Sequence, residues 1–398
     1  MKLPTTFAAG RQLSHVLRIA AVAAGLALGG CQRQSQPGAA AQGAIRLGLA
    51  GPFTGSGAAY GLMMRQGATM AVEEANADGG VAGQRFELVF EDDAGKNDQA
   101  KTVAKKLADD PSICAVIGHF NSTCSLAGRP TYQRRGVVQF TPGSTNVDVC
   151  RGSEWTFRNL YHDQYQGEVI AQYIRDALGA RKAAVFYDND DYGKGLKSAF
   201  TAHAAKIGLQ IVGEEAYVRE KTLDFSTALD KFHAAAPDIV FVSGLYNEAG
   251  TIVKQARSKG IATPFIGGDG VFSPGLIEIA GQAAEGTYVV TPFLFDAGGD
   301  AARTFAGRFA ARFGTDPDAW AALGYDAAAM LIDTIRQVGR DRRAIRDHLA
   351  GITTPEKGFH GITGITFFDE YGDCAKPAHV AIVRAGRFVA APQQIPRP

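Results

Sequence analysis

The feature that most constrains the fold of this chain is an alternation of short apolar runs with longer segments of helical spacing. Several runs are apolar at consecutive positions, which is typical of parallel strands covered by helices on both faces. We predict strands at residues 45–50, 86–90, 113–117, 137–140, 183–187, 239–242 and 288–290. Such strand–helix repetition predicts an α/β fold with parallel sheets.

Four of the intervening segments carry apolar residues at steps of three and four, which predicts helices. They lie around residues 100–107, 169–178, 196–207 and 252–256. We expect Asn97 or Asp98 to cap the first helix. We expect Gly179, Gly208 and Gly260 to end the other three, because glycine readily adopts the left-handed conformation that follows a helix. The strand–helix units fall into two batches, one before about residue 163 and one after it.

The N-terminus is typical of a bacterial export signal. Three cations precede or flank an apolar stretch over residues 19–28, which is shorter than the roughly 20 residues needed to cross a bilayer. The stretch ends in Leu28-Gly29-Gly30-Cys31, an order that resembles a lipobox. We therefore expect residues 1–30 to be removed and Cys31 to carry a lipid that anchors the protein to the membrane. The alternative is an ordinary signal peptide with an incidental cysteine.

Residues 31–43 are mostly small or polar and show no periodicity, so we predict a flexible tether and a folded part that begins near Ala44. The full chain has 398 residues and a formal charge of +1. Loss of the signal segment with its three cations leaves 368 residues and a charge of −2. This length suggests about two domains, and this charge gives no sign of a nucleic-acid partner. We expect the mature protein in the periplasm or on the outer face of the cell envelope.

Four cysteines lie beyond Cys31, and export makes disulfides possible. They are Cys114, Cys124, Cys150 and Cys374. Four cysteines allow three complete pairings, and the sequence does not choose among them. Cys124 and Cys150 lie near two loops that we expect to converge, so a bond between them and free buried thiols both stay open. The spacings match no zinc-binding pattern, and we expect neither a metal nor a cofactor.

In open parallel sheets, ligands bind beyond the carboxyl ends of the strands. Four predicted loops at such ends are rich in glycine, hydroxyl or acidic residues, namely 51–61, 118–123, 141–146 and 188–193. Ser122, Ser144 and Thr145 lie in the middle two loops, next to predicted helix starts. Unpaired backbone N–H groups and hydroxyls at such places suit a carboxylate. Helix capping alone is the alternative.

Three further side chains are candidates for the same site. Asp269 follows a short apolar run and is flanked by glycines, so it could pair with a ligand amine; the alternative is a solvated turn. Tyr60 and Tyr192 each precede a glycine at the mouth of a strand–helix loop, where an aromatic ring lines a cleft or simply packs. We expect His119 to be an interior histidine with satisfied hydrogen bonds rather than a metal ligand.

A set of short motifs, taken in order, resembles the periplasmic leucine/isoleucine/valine-binding proteins of type I periplasmic-binding fold. The resemblance runs from Ile45 to about Val389. Its carriers are Gly51-Pro52, Gly57, Tyr60-Gly61, residues 74–83, Glu91-Asp92-Asp93, residues 116–119, residues 141–146, residues 191–195, Gln255-Ala256-Arg257 and residues 283–287. Each motif is weak alone, whereas together, at this spacing, they are specific.

The resemblance implies two Rossmann-like, doubly wound parallel-sheet lobes joined by a three-segment hinge that closes around a ligand. The N-terminal lobe would hold residues 44–163 and 292–372, and the C-terminal lobe residues 164–291 and 373–398. The implied partners are the permease and ATPase subunits of an ABC importer, with an amino acid as the small-molecule ligand.

The resemblance also implies the residues of the binding site. The implied set is Tyr60, Ser122, Gly143, Ser144, Thr145, Tyr192, Leu245, Tyr246 and Asp269. The hydroxyl and glycine residues of the two loops would bind the ligand carboxylate and help to hold the amine. Asp269 would pair with the amine, and Tyr60 and Tyr192 would flank the ligand from opposite lobes. Further aromatic candidates for the lining are Phe53, Phe120, Tyr161 and Phe272.

The sequence departs from the branched-chain binders at three places. Asp269 stands where they typically carry a glutamate, and the shorter acid places the amine differently or reaches it through water. Leu245 stands where they tend to have an aromatic residue, although Tyr246 is adjacent. Gly95 and Asn121 occupy the positions of their early disulfide. The first two departures leave the ligand open, so that a non-amino-acid carboxylate or amide is an alternative.

The sequence lacks the motifs of common enzyme classes, with no GxSxG, no HExxH, no phosphate loop ending in Gly-Lys-Ser/Thr and no GxGxxG after the first strand. The acid pairs Asp92-Asp93 and Asp190-Asp191 lie in predicted loops, where adjacent acids are usually solvated or capping. We therefore predict a binding protein and not an enzyme. A sensor that reports ligand occupancy to a separate signalling partner stays open as an alternative.

Overall fold

The first of two large sheets is built from the early strands of the chain. The structure is a computed structural model, and it describes residues 43–394. The strands of this sheet are β1 (Ile45–Gly51), β2 (Phe86–Asp92), β3 (Ile113–Ile117), β4 (Val138–Thr141) and β5 (Thr156–Arg158). They run parallel in the order β2-β1-β3-β4-β5. Every residue of β3 and β4 is buried, as expected for strands covered on both faces.

The second sheet uses strands from the middle and the end of the chain. The remaining strands are β6 (Lys182–Asp188), β7 (Gln210–Tyr217), β8 (Ile239–Ser243), β9 (Phe265–Gly267), β10 (Tyr288–Thr291), β11 (Phe359–Gly361), β12 (Gly364–Thr366), β13 (His379–Arg384) and β14 (Arg387–Ala390). The sheet has the order β14-β13-β10-β9-β8-β6-β7. β13 and β14 are antiparallel to their neighbours, and the other pairs are parallel. β11 and β12 form a separate hairpin.

All seven predicted strands are present, with ends within two residues of the prediction. The predicted α/β fold, with parallel sheets and two lobes, is therefore confirmed. The sequence pattern missed β5, β7, β9 and the strands after β10. β7 is an edge strand in which exposed and half-buried residues are mixed, so it has no continuous apolar run to reveal it.

Helices follow most of the strands. They are α1 (Ala58–Ala77), α2 (Asn97–Asp109), α3 (Ser122–Arg135), α4 (Asp163–Gln172), α5 (Asp191–Ile207), α6 (Ser226–Ala235), α7 (Tyr246–Ser258), α8 (Pro274–Ala280), α9 (Gly299–Phe313), α10 (Ala319–Val338) and α11 (Arg342–Ala350). A π-helical turn continues α4 over Tyr173–Ala177. The four predicted helical stripes correspond to α2, to α4 with its π-helical turn, to α5 and to α7.

The predicted helix ends were right at the C-termini and wrong at one N-terminus. Gly208, Gly179 and Gly260 have φ angles of 75°, 69° and 74°, which is the left-handed conformation expected after a helix. Neither Asn97 nor Asp98 caps α2, because the helix already begins at Asn97. Its N-cap position is Lys96, which has no capping side-chain hydrogen bond.

α10 packs on α1 and so brings a late part of the chain against the first sheet. Two glycines permit this close approach. A Cβ atom on Gly67 would overlap the carbonyl of Ala321, and one on Gly324 would lie 2.9 Å from the Cα of Met64. α11 packs against β3 and β4. α10 also contacts β3, so it is fixed against the first sheet.

We use "first lobe" for the five-stranded sheet with α1, α2, α3, α10 and α11, and "second lobe" for the seven-stranded sheet with α4 to α8. The contacts among these elements define the two groups. The predicted lobe boundaries after residues 163, 291 and 372 stay a prediction.

The cysteine alternatives are resolved within the described residues. Cys114, Cys124, Cys150 and Cys374 are all buried, and none of them forms a disulfide. A Cys124–Cys150 bond is therefore wrong. The Sγ atom of Cys150 instead accepts a hydrogen bond from Arg158 Nε at 3.3 Å. Burial raises the pKa of the Cys150 thiol to about 12, which disfavours the reactive thiolate.

The features that predict export lie at the N-terminus. The predicted signal segment, Cys31 and nearly all of the tether lie outside the described residues. Over residues 43–394, no helix is both long enough and apolar enough to cross a membrane. In the same part of the chain, no group of three or more His, Cys, Asp or Glu residues is placed to bind a metal ion.

Candidate ligand-binding site

A small cavity lies where loops that follow strands of both sheets meet. Its volume is about 20 Å³. The first lobe contributes Phe120, Asn121, Ser122, Gly143 and Trp320, and the second lobe contributes Tyr192, Leu245, Asp269 and Gly270. Loops after β3, β4, β8 and β9 supply most of this lining. The cavity thus occupies the position in which open parallel sheets bind ligands.

Five of the nine predicted site residues line this cavity, namely Ser122, Gly143, Tyr192, Leu245 and Asp269. The other four, Tyr60, Ser144, Thr145 and Tyr246, are buried around it without lining it. Among the aromatic candidates, Phe120 lines it. Asn121, Gly270 and Trp320 also line the cavity, although the sequence did not predict them as ligand-binding residues. The ligand contacts of all these residues stay a prediction.

The N-terminus of α3 forms the polar part of the first-lobe wall. Ser122 is the first residue of the helix, and Asn121 precedes it in an extended conformation without capping it through its side chain. The first N–H groups of α3 therefore have no acceptor within the helix. Asn121 is 7% exposed, and its Oδ1 atom has no hydrogen-bond partner. Such a helix start is suited to a ligand carboxylate.

Ser144 links the two hydroxyl-rich loops to each other. Its hydroxyl lies 2.7 Å from Ser125 Oγ and donates to the carbonyl of Phe120 at 2.9 Å. The Ser144 backbone N–H donates to Thr141 Oγ1 at 3.0 Å. Thr141 Oγ1 in turn donates to the carbonyl of His119 at 2.6 Å. These bonds hold the loop that carries Gly143 in place, so Ser144 acts on the cavity wall indirectly.

Arg158 fixes the same loop from behind and is completely buried. Its guanidinium donates to the carbonyl of Ser144 at 2.8 Å and to that of Asn146 at 2.9 Å. Its Nε atom lies 2.6 Å from the Oδ1 atom of Asp373. Asp373 is itself only 4% exposed, so the two charges compensate each other inside the protein. Nothing in the sequence around Arg158 distinguishes it from a surface arginine.

Asp269 carries the negative charge of the second-lobe wall. It begins a 3₁₀ turn (Asp269–Val271) after β9 and is 2% exposed. The Tyr192 hydroxyl donates to its carboxylate at 2.7 Å, and its own backbone N–H donates to Gln166 Oε1 at 2.9 Å. Burial raises the pKa of the Asp269 carboxyl to about 6, against the lowering effects of the hydrogen bond from Tyr192 and of the nearby Gln166 side chain. An ammonium group would provide the missing counter-charge.

Asp163 is a second buried acid close to this wall. It begins α4, is 1% exposed, and donates its backbone N–H to the Thr145 carbonyl at 2.7 Å. Neither carboxylate oxygen accepts a hydrogen bond of normal geometry, although the Thr145 hydroxyl is close enough to lower the pKa. Burial first, and the charge of Asp269 second, raise the pKa of Asp163 well above its ordinary range. The second-lobe side therefore brings two buried carboxyl groups together, and burial disfavours the ionised form of each.

Tyr60 and Tyr246 join the two lobes beside the cavity. The Tyr60 hydroxyl donates to the carbonyl of Gly270 and accepts from the backbone N–H of Tyr246 at 3.2 Å. The Tyr246 hydroxyl donates to the carbonyl of Ser56 at 2.8 Å. Asn247 donates to the same carbonyl at 2.7 Å. These bonds cross from one lobe to the other, so the structure shows the lobes closed.

The remaining sequence candidates have structural roles. His119 is fully buried, with Nδ1 2.6 Å from an Asp93 oxygen and Nε2 3.1 Å from the Tyr132 hydroxyl, as expected for an interior histidine. Asp190 caps α5 by accepting from the backbone N–H of Gly193 at 2.8 Å, and it forms an ion pair with Arg219.

Gly95 and Asn121, which the sequence resemblance matches to an early disulfide, lie next to each other in the structure. A Cβ atom on Gly95 would lie 3.3 Å from the Oδ1 atom of Asn121. The side chain at the cavity wall in this chain is the Asn121 amide.

A larger cavity of about 320 Å³ lies away from the cleft. Its lining comes from residues 161–165, Thr353 and residues 367–376, and it contains none of the nine predicted site residues. Size alone therefore does not identify the binding site. The N-terminus of α3 and the buried Asp269 face each other across the small cavity, not across the larger one.

Known proteins that are similar to this chain share its fold and belong to the class that the sequence predicts, the periplasmic binding proteins. The family model described as periplasmic binding protein matches residues 44–387. An "Amino acid binding protein" of Pseudomonas aeruginosa is 39% identical over 238 residues, which is 60% of this chain and 63% of that protein. The "Leu/Ile/Val-binding protein homolog 1" of Brucella suis is 32% identical over 84% of this chain and 89% of its own length.

Among solved structures, the branched-chain amino acid transporter substrate-binding protein LivJ of Streptococcus pneumoniae, in complex with isoleucine, aligns with a TM-score of 0.82. It is 30% identical, and the alignment covers 88% of this chain and 99% of that one. This agreement extends over both lobes.

Proposed function

Since this chain belongs to the branched-chain amino acid-binding family of periplasmic binding proteins, we propose that it is an extracytoplasmic lipoprotein that delivers an amino acid to an ABC importer. The observation that supports this most strongly is the pairing of two opposite polar features across one cavity. The N-terminus of α3 lies on one side, and the buried Asp269 lies on the other.

The first step of the proposed mechanism is recognition of the ligand carboxylate by the first lobe. The backbone N–H groups at the start of α3 and the Ser122 hydroxyl would donate to the carboxylate oxygens. The helix dipole adds a favourable field for a negative charge at this position. Because Ser144 and Arg158 already hold the neighbouring loop in place, little ordering would be needed when the ligand binds.

The second step is recognition of the ammonium by the second lobe. The Asp269 carboxylate would form a charge-assisted hydrogen bond with the ligand nitrogen, and Tyr192 would hold the carboxylate in position. Closure would then be completed by the bonds of Tyr60, Tyr246 and Asn247 that cross between the lobes. A ligand that contacts both lobes binds the closed form more tightly than the open form. This difference in affinity shifts the equilibrium towards the closed form.

The proposal includes the lobe boundaries and the anchor. Residues 44–163 and 292–372 would move as one lobe, and residues 164–291 and 373–398 as the other.

A lipid on Cys31 would keep the domain beside the permease and ATPase subunits. Replacement of the anchoring residue, Cys31→Ser, is expected to move the protein from the membrane fraction to the soluble fraction. Persistent acylation of that variant would contradict the anchor.

A binding screen tests the proposed function. Thermal unfolding of the purified protein would be followed with each of the amino acids and with a set of small carboxylates and amides. A ligand at about 100 times its Kd stabilises the folded state by about 2.7 kcal/mol. We expect at least one amino acid to do so in the wild type and to fail with Asp269→Asn. No shift with any amino acid in the wild type would contradict the proposal.

A further inference from the structure

A second and much larger cavity lies beside the cleft cavity. Its volume is about 230 Å³, against about 20 Å³ for the cleft cavity. A single buried water needs roughly 10–15 Å³ of such space, so no amino acid fits into the cleft cavity alone. A ligand seated between Asp269 and α3 must therefore extend into neighbouring space. We call the larger cavity the side pocket.

The first turn of α3 borders both cavities. Asn121 lines both of them, and Thr123 lines the side pocket. On the second-lobe side, Leu245 of the cleft cavity follows Gly244, where a Cβ atom would lie 3.7 Å from the Cβ atom of Asp188 in the side pocket. A ligand side chain that leaves the cleft cavity past Asn121 would thus enter the side pocket.

Hydrogen bonds between the two lobes enclose the side pocket. The Ser56 hydroxyl donates to Glu220 Oε1 at 2.6 Å. The backbone N–H of Asp191 donates to Thr123 Oγ1 at 3.3 Å. Each of these bonds joins a first-lobe residue to a second-lobe residue. A ligand group in the side pocket would therefore be held by both lobes, as the cleft cavity would hold the ammonium and carboxylate.

The second-lobe charges of the side pocket are already engaged. Arg219 donates from Nε to Asp188 at 2.8 Å and also forms an ion pair with Asp190. Its side chain is only 17% exposed. Glu220 is engaged by the hydroxyl of the opposite lobe described above. A charged end of a ligand would consequently have to break one of these pairs or lie beside it.

The first-lobe side of the pocket offers two polar groups without partners in the described part of the chain. Asn121 is 7% exposed, and its Oδ1 atom accepts no hydrogen bond. This atom would lie 3.3 Å from a Cβ atom on Gly95, which lines the side pocket. The Lys96 ammonium has no hydrogen bond or ion pair among these residues. The side pocket thus has one free acceptor and one free donor.

From this arrangement we propose that the ligand is an amino acid whose side chain ends in an uncharged carboxamide, as in glutamine, with Asn121 and Lys96 as the residues that recognise it. This inference rests on the proposed function, because it assumes that the ammonium and carboxylate lie between Asp269 and α3. The carboxamide NH₂ would donate to Asn121 Oδ1, and its oxygen would accept from Lys96.

Other side-chain classes fit the two free groups less well. A carboxylate has no proton to donate to Asn121 Oδ1. A cationic end would face the ammonium of Lys96. An apolar side chain would leave both groups unpaired, which costs more than a hydrogen bond contributes when it is formed. The pocket therefore discriminates by the donor and acceptor pattern of the side chain and not by its size.

Calorimetric titration of the purified protein with glutamine, glutamate, lysine and leucine tests the inference. In the wild type we expect glutamine to bind at least about tenfold more tightly than each of the other three. The ratio of Kd for leucine to Kd for glutamine is compared between variants, because a change in closure alone alters both constants. In Asn121→Leu and, separately, in Lys96→Met we expect this ratio to fall at least about fivefold.

The helix that follows Lys96 offers a matched control. Lys101 is exposed, pairs with Asp98 and lies outside the side pocket, so Lys101→Met should leave the ratio unchanged. The inference is overturned if the wild type binds leucine, glutamate or lysine as tightly as glutamine, or if Lys101→Met changes the ratio as much as Lys96→Met does.

The exposed position of Lys96 keeps the test decisive. Should Asn121→Leu fail to fold, an unchanged ratio in Lys96→Met would overturn the inference. Failure of every amino acid to bind to the wild type would instead refute the proposed function on which the inference rests.

Discussion

On the first-lobe side of the cavity, Ser144, Thr141 and Arg158 satisfy one another and the surrounding carbonyls at ordinary hydrogen-bond distances. On the second-lobe side, Asp269 and Asp163 are both buried acids whose pKa values are raised by burial. The first side is therefore preformed, whereas the second side holds two buried carboxyl groups whose ionised forms are disfavoured by burial. The two sides of the cleft therefore differ in kind. One side has a fixed, hydrogen-bonded geometry, and the other has a carboxyl group whose ionised form a cationic group would stabilise.

Of the substitutions on the first-lobe side, replacement of Arg158 is expected to lower the unfolding free energy most. In Arg158→Gln, Asp373 would be left as a buried charge without its partner, which costs about 3–5 kcal/mol of unfolding free energy. Chemical denaturation measures this loss. The control is Arg303→Gln, which removes an exposed arginine paired with Asp300 and should cause no measurable change. Equal stability of Arg158→Gln and the wild type would contradict the role given to Arg158.

On the second-lobe side, removal of the buried charge of Asp269 should raise the unfolding free energy instead of lowering it. A folded-state pKa of about 6, against an ordinary value of 3.8, means that the stability contributed by protonated Asp269 is present below about pH 4 and lost as the pH rises through 6. Asp269→Asn keeps the shape without the charge. We expect the ligand-free variant to be more stable than the wild type at pH 7.5, by up to about 3 kcal/mol.

Denaturation at two pH values checks this prediction. The gain should shrink to near zero at pH 4, where the wild-type carboxyl is protonated, and the variant should bind its amino acid at least about tenfold more weakly than the wild type. A variant that is less stable than the wild type at pH 7.5 would show that the Asp269 charge is already neutralised, and would remove the difference between the two sides.

The contacts that join the two sides should have the smallest effect. Tyr246→Phe removes the hydrogen bond to the Ser56 carbonyl, so the closed form should lose about 1 kcal/mol relative to the open one. We expect a roughly fivefold weaker ligand affinity by calorimetry. The matched control is Tyr325→Phe, which loses a hydroxyl bond to Glu74 away from the cleft. If both variants lose affinity equally, Tyr246 has no special part in closure.

The two sides were also unequally visible in the sequence. Asp269 could be selected because a charged residue between glycines, directly after an apolar run, is unusual. The hydroxyl-rich loop around Ser144 could also be selected, but its role was less visible, because the sequence does not reveal which carbonyls its hydroxyls bond. In the structure, Ser144 bonds to the Phe120 carbonyl and does not line the cavity.

Trp320 and Arg158 escaped prediction for different physical reasons. Trp320 reaches the cavity because α10 packs on α1, a contact between segments about 250 residues apart that no local pattern encodes. Arg158 is a charge inside the protein, whereas arginine is usually exposed, so its burial depends on the compensating Asp373 far along the chain. By contrast, the seven strands with continuous apolar runs were predicted to within two residues, because such a run is a local property.

The pH dependence of ligand binding tests the account most directly. Calorimetry would measure the Kd of the wild type and of Asp269→Asn for the amino acid that gives the largest thermal shift, at pH 7 and pH 5, a range over which an uncharged side chain leaves the ligand with both of its backbone charges. With a carboxyl pKa of about 6, only about a tenth of Asp269 is ionised at pH 5. The account predicts that wild-type binding weakens by about tenfold on acidification, whereas the weaker binding of Asp269→Asn stays constant. Wild-type affinity that is equal at the two pH values would contradict a charge-based partnership between Asp269 and the ligand.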